Sequence, residues 1–327
     1  MKAYFLAGAA AIALGACTTT AVADEPRTVA AAPAAAAPAA AAPAAIPDNV
    51  LLTEWAGPYD GVPPFDRVRP DLFPEAFQFA IDEQRREVLA IAGNPAPPTF
   101  ANTIEALERA GERLSRVQAV FGVMTSNMST PEYQALDREW SPRLAAAYDE
   151  LILNPELFQR VKTVYEARET SGLNAQQQRL ATRIHDQFVR RGANLDPAQK
   201  QQLSAYNQEL ARLFAQFRER VLADESTYIA ATEAQLAGVP DDVKAAAAAA
   251  ARERGLPQGQ YAIVNTRSAV DPILTFADNR ELREQVWRAF VNRGDNGGEN
   301  DTNQIIAQIV KTRADRARLL GYETHAH

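Results

Sequence analysis

The sequence predicts a mainly α fold with a small β element near residues 227–276. Three observations carry that prediction. Apolar residues recur at three- and four-residue spacings through most of the chain beyond residue 100. Those stretches open on capping residues, as at Asn154-Pro155 and Asp196-Pro197. Runs with period-two or continuous apolar character are short and confined to one region. A content of 46% hydrophobic and 23% charged residues excludes wholesale disorder. The net charge of −7 argues against a general nucleic-acid binder, which needs a basic footprint.

The first element is a signal. Lys2 is a short positive start, and Ala3 to Ala16 is an apolar run too short for a membrane-spanning helix of about 20 residues. It ends in Leu14-Gly15-Ala16-Cys17, which resembles a bacterial lipobox. Cys17 is the only cysteine in the chain and stands where lipid attachment requires it. The expectation is a lipoprotein, anchored through Cys17 in the cell envelope. Thr18 follows, with no aspartate there. By resemblance to the sorting of Gram-negative lipoproteins, this favours the periplasmic face of the outer membrane. Residues 18–48 are rich in Ala and Pro, with Pro33, Pro38 and Pro43 at five-residue intervals. Proline at that spacing breaks helix and favours extended backbone. The segment reads as a semi-rigid tether, roughly 90 Å at full reach at ~3.1 Å per residue.

The folded part is expected as a helical lobe over 49–225 and a second portion over 226–327. Ile104, Leu107, Leu114, Val117, Phe121, Met124 and Met128 stripe one helix, with Asn102 and Glu105 as its capping box. Tyr133, Leu136, Trp140, Leu144, Tyr148 and Leu151 mark the next. Asn154 caps a third, bearing Leu157, Phe158, Val161 and Tyr165. Leu180, Ile184 and Phe188 stripe a fourth. Asp196 opens a fifth, with Leu203, Leu210, Leu213 and Phe217. Beyond residue 226, Thr227–Thr232 and Tyr261–Asn265 read as strands around an alanine-rich helix near 241–253. Ile273–Phe276 reads as a third strand or an extended arm. Asp278, with Glu281, caps a helix burying Leu282, Val286, Trp287 and Phe290. A last helix carries Ile305, Ile306, Ile309, Val310, Leu319 and Leu320.

Motifs that carry chemistry are scarce. One cysteine excludes a disulfide framework and a cysteine zinc cage. The loop Asp295–Asp301 fails the calcium-loop spacing, because Asn300 stands where glycine is needed and Ile306 where the bidentate acid belongs. It is expected as a solvated connection. No phosphate loop, dinucleotide fingerprint or serine nucleophile elbow occurs. His185 has Val189, not histidine, four residues on, so no zinc helix forms there. His325 and His327 lie at the chain end. The Arg190-Arg191 pair and the cluster Arg313, Arg316 and Arg318 read as solvated faces balanced by acids. No catalytic and no metal-binding residue is expected.

Six strings occur in order: P-P-F-D-R-V-R-P (63–70), N-P-A-P-P-T-F-A-N-T-I-E-A-L-E-R (94–109), V-R-R-G-A-N-L (189–195), L-T-F-A-D-N-R-E-L-R (274–283), R-G-D-N-G-G-E-N-D (293–301) and L-L-G-Y-E-T-H-A (319–326). Together they resemble the N-terminal half of bacterial peptidyl-dipeptidases and oligopeptidase A-like enzymes, of the thimet oligopeptidase family. The resemblance implies a multi-helix lobe of a two-lobed fold around a deep channel, and hydrolysis of short peptides with one zinc. In that family the two histidines of an H-E-x-x-H helix and a downstream glutamate hold the metal. The glutamate within the motif is the general base on the zinc-bound water. No H-E-x-x-H occurs in these 327 residues. The expectation is therefore the front part of such a peptidase, with 226–327 the start of its peptidase domain. Zinc belongs to the intact family enzyme and none is expected here, so this chain alone is expected to be inactive. An apolar face meant for the other half is expected to make the isolated chain oligomeric or marginally soluble. The other reading is a stand-alone helical lipoprotein that binds peptides or a partner protein.

Overall fold

The computed structural model describes residues 45–56 and 61–327. Residues 1–44, and with them the expected signal, Cys17 and most of the tether, lie outside these. The described chain is helical apart from one two-stranded sheet. Among the described residues no helix is long and apolar enough to cross a membrane.

The first helix, α1 (Phe73–Ala92), follows a turn at Pro70–Leu72 and has proline in its first turn, where a missing N–H costs nothing. Phe73, Ala76, Phe77, Ala80, Ile81, Val88 and Ile91 line its buried stripe. The upper part packs into an aromatic core with α3 (Glu112–Asn127) and α4 (Pro131–Ile152). There the Phe121 ring meets Phe73 and Phe77 edge-on at 5.0 and 5.1 Å between centroids, and Trp140 lies 5.1 Å from Phe77. Edge-to-face pairs of this kind add about 0.5–1.5 kcal/mol each beyond area burial.

The expected single helix over 104–128 is two. Its start is a wide π-helical turn at Phe100–Glu105, leading into the short α2 (Ala106–Arg109). The capping box is Thr99 with Asn102, not Asn102 with Glu105: Thr99 Oγ1 accepts from Asn102 N, and Asn102 Oδ1 from Thr99 N. The chain then breaks at Gly111, whose φ of 75° suits glycine. The Gly111 N–H is not wasted, because it donates to Glu87 at 2.8 Å. Sequence periodicity runs through this break because both sides carry apolar residues at helical spacing, yet Ile104 and Leu107 serve one core and Leu114, Val117 and Phe121 the other.

A second core joins the lower end of α1 to α5 (Pro155–Glu166) and α6 (Ala175–Arg190) through Ile104, Leu157, Val161, Ile184 and Phe188. Asn154 caps α5 as the sequence predicts, its side chain accepting from Leu157 N at 2.8 Å. The buried Arg160 pins the proline-rich 94–98 loop, donating to the carbonyls of Asn94 and Ala96 and to Asn102 Oδ1. The long α7 (Pro197–Glu225) opens on the Asp196–Gln199 capping box and packs along α4.

Past α7, β1 (Tyr228–Thr232) pairs antiparallel with β2 (Gln260–Val264), Ala230 opposite Ala262. Between them, α8 (Asp241–Glu253) lies against β2. The third strand or extended arm expected at Ile273–Phe276 is a helix, α9 (Arg267–Phe276), so the β element stops at Val264. Four consecutive apolar or β-branched residues favour a strand locally. Tertiary packing overrides this by burying Val270, Ile273 and Ala277 at helical spacing against Ile263 and Leu282. Then come α10 (Arg280–Val291) and α11 (Asn303–Leu319). Asn279 caps α10, accepting from Leu282 N at 2.9 Å, one residue later than the expected Asp278. Trp287, expected in the core, is 49% exposed.

Candidate functional site

The three histidines are placed as follows. His185 lies on α6, sandwiched between Tyr165 at 3.9 Å and Phe158 at 5.9 Å between ring centroids. Arg168 lies over the far face of Tyr165 at 4.2 Å. The only carboxylate within ion-pair range of His185 is that of its neighbour Asp186, at 3.5 Å. An imidazole stacked on Tyr165 fills core volume, and its buried Nδ1 has no hydrogen-bond partner. His327 is exposed, its Nδ1 2.8 Å from Thr324 Oγ1, and His325 is exposed beside it. Among the described residues no three His, Cys, Asp or Glu side chains are grouped to hold a metal ion. The residues present therefore do not fit a zinc centre.

The loop after α10 is a solvated connection, as the sequence suggests, with residues 295–299 exposed, but it is also tethered. It folds back onto Asp224, near the end of α7, which is only 3% exposed. Asp224 Oδ2 accepts from Gly294 N at 2.7 Å and from Asn296 Nδ2 at 2.9 Å. The Gly294 carbonyl accepts from Thr302 N and Oγ1. A buried carboxylate oxygen that accepts from a backbone and a side-chain amide of the loop is a structural clamp that fixes the entry to α11. Sequence reasoning missed Asp224 because an aspartate at a helix end ordinarily reads as solvated.

Arg316 also departs from its sequence reading. It is half-buried where α4, α7 and α11 meet. Its Nε donates to Asn207 Oδ1 at 2.7 Å, and Asn207 Nδ2 donates to Asp149 Oδ1 at 2.8 Å. Asp149 is 6% exposed, and its second oxygen has no hydrogen-bond partner. Burial pushes the Asp149 carboxyl pKa up, while the nearby Ser204 hydroxyl, the Asn207 amide and the Arg316 and Arg191 guanidiniums oppose that shift. Burial and neighbouring Arg191 lower the Arg316 pKa, with Asp149 opposing. This relay binds α11 to the helical lobe across 109 residues of sequence. Beside Asp149, a groove of about 610 Å³ runs between α4 and the first turns of α5 and α7, with Lys200 and Ser204 in its wall. A second groove, of about 440 Å³, lies between α8, β2 and α9, its apolar wall of alanines, Ile263 and Ile273 edged by Asp242, Glu253 and Arg254. Neither groove contains a histidine or a cysteine.

What these elements share is continuity: a helical body locked through Arg316 and Asp224 to a final helical segment. Residues 273–327 match the model described as peptidase family M3. Over most of its length the chain is similar to proteins named for peptide hydrolysis. It is 39% identical over 280 residues to dipeptidyl carboxypeptidase of Escherichia coli (strain K12), an alignment covering 85% of this chain and 41% of that protein. Similarity to dipeptidyl carboxypeptidase of Salmonella typhimurium is 37% over 281 residues, with the same coverage. To oligopeptidase A of E. coli it is 26% over 284 residues, again covering 85% of this chain and 41% of that protein. The chain thus spans about two-fifths of the length of these relatives.

Proposed function

We propose that these residues form the helical lobe and the first part of the peptidase domain of a zinc peptidyl-dipeptidase acting on short peptides. One observation carries the reading: the 39% identity to a dipeptidyl carboxypeptidase runs through both the lobe and the segment matching family M3. The lobe supplies a wall for the substrate. The metal and the general base come from sequence outside these 327 residues, since the histidines here are an aromatic filler and two exposed residues at the chain end. Cys17 carries the lipid, and residues 18–48 hold the folded body off the periplasmic face of the outer membrane.

The purified 327-residue chain is expected to retain no stoichiometric zinc and to leave a blocked tripeptide intact. A chimera in which residues 49–327 replace the aligned stretch of the E. coli relative is expected to release C-terminal dipeptides, and a chelator to stop it. Chelator-sensitive cleavage by the chain alone, or an inactive folded chimera, overturns the proposal. The anchoring is tested separately. Cys17→Ala is expected to move the protein from the membrane to the soluble fraction of the envelope, and a protein that stays membrane-bound refutes lipid attachment.

A further inference from the structure

The helices α10 and α11 each carry two apolar stripes, and only one is covered. On α10, Leu282 and Val286 are buried, while Trp287 and Val291, four residues apart and so on one face, are 49% and 51% exposed. On α11, Ile305 and Ile309 are buried against α7, while Ile306 and Val310 are 43% and 59% exposed. The other exposed large apolar residues of the helical lobe, such as Leu89 and Val123, stand singly, as is normal for a protein surface. A helix that is apolar on two sides is one built to be buried on two sides. Beside Trp287 lies a groove of about 510 Å³ lined by Leu274, Arg280, Arg283, Glu284 and Trp287, an aromatic wall with a charged rim of both signs.

All of these residues fall within 273–327, the segment that matches family M3. The relatives that share this segment carry more than half of their length outside the aligned stretch. We propose that the bare stripes Trp287/Val291 and Ile306/Val310, with the adjoining groove, dock that remaining M3 sequence. The inference rests on the proposed function and deepens it by assigning the residues that receive the zinc-bearing portion.

Thiol labelling tests this without relying on catalysis. In a Cys17→Ser background the chain has no other thiol, so Val291→Cys, Val310→Cys and, as control, Leu89→Cys report three surfaces. All three are expected to react with a thiol reagent at similar rates in the 327-residue chain at low micromolar concentration. In the chimera described above, corrected for the parent's own thiols, positions 291 and 310 are expected to slow at least about tenfold and position 89 to stay unchanged. Equal rates at all three positions overturn the docking, as does a chimera that fails to fold. A dimer of the isolated chain that protects positions 291 and 310 assigns the face to a second copy and also overturns it. Cleavage assays on the same chimera separate the two readings. Protection without activity sinks the function and keeps the docking, whereas activity without protection does the reverse.

Discussion

At the scale of single residues, the Asp149–Asn207–Arg316 relay shows how a buried charge can be tolerated without being an asset. Asp149 has one oxygen held by Asn207 and one without a partner. Arg316 always donates, so it fixes the Asn207 amide with its carbonyl oxygen toward α11 and its NH₂ toward Asp149. The raised pKa of Asp149 means that the folded chain holds this proton more tightly than the unfolded chain, whose aspartates titrate near about 3.9. Stability is then greatest below the unfolded value and falls as pH rises through the folded value. Asp149→Asn mimics the protonated group and keeps the acceptor for Asn207. It is expected to raise the melting temperature at pH 7 and to flatten its decline between pH 4 and pH 7. A lower melting temperature at pH 7 with an unaltered profile would mean that attraction to Arg316 outweighs burial. Asn207→Leu removes both hydrogen bonds while leaving the charges in place. It is expected to cost about 2–4 kcal/mol in urea denaturation, because breaking such a link leaves buried groups unpaired.

At the scale of elements, helix existence was legible and helix ends were legible only where the cap is unambiguous. Asn154 and Asp196 each precede a proline, which cannot continue the preceding segment and suits the first turn, so only one residue can serve as the cap. Around residue 278 two candidates, Asp278 and Asn279, are adjacent and chemically equivalent as acceptors. The structure selects Asn279, whose Oδ1 accepts from Leu282 N, while Asp278 N is tied to the Ala237 carbonyl at 2.8 Å, a contact from a distant turn that keeps residue 278 outside the helix. Sequence alone does not contain that contact. Asn279→Ala is accordingly expected to destabilise the chain by about 1 kcal/mol, and exposed Asp278→Ala to stay within about 0.5 kcal/mol, on thermal or urea unfolding. The reverse order would restore Asp278 as the cap. The helix α9 and the break at Gly111 were hidden for a related reason: tertiary packing decides both, by burial of α9 against Ile263 and Leu282 and by the passage from one core to another at Gly111, and the local pattern points elsewhere. The candidate site followed the same rule. The absence of H-E-x-x-H could be read directly, whereas the clamped state of Asp224 and Arg316 required the packing of α7 against α11.

At the scale of the whole molecule, cohesion is unevenly distributed, and the uneven part lies in the segment that matches the M3 model. The helices α4 and α7 pack along each other and border both the aromatic core and the α11 contact. By contrast, the first half of α11 buries only Ile305 and Ile309, while its lower half is held through Ala317 and Arg316. Regions with few buried apolar contacts open locally well below the global unfolding free energy. Native-state hydrogen exchange should therefore find residues 303–311 exchanging through local opening, while the centre of α4 around Trp140 exchanges only on global unfolding. Asn207→Leu should widen that difference by speeding exchange in α11 without touching the aromatic core around Phe73 and Phe121. If 303–311 were as protected as α4 in the isolated chain, the exposed stripe at Ile306 and Val310 would already be covered. The start of α11 is buried on one side against α7 and open on the other at Ile306 and Val310, so the docking proposed above predicts that exchange across 303–311 slows in the chimera relative to the 327-residue chain, and unchanged exchange there would count against it.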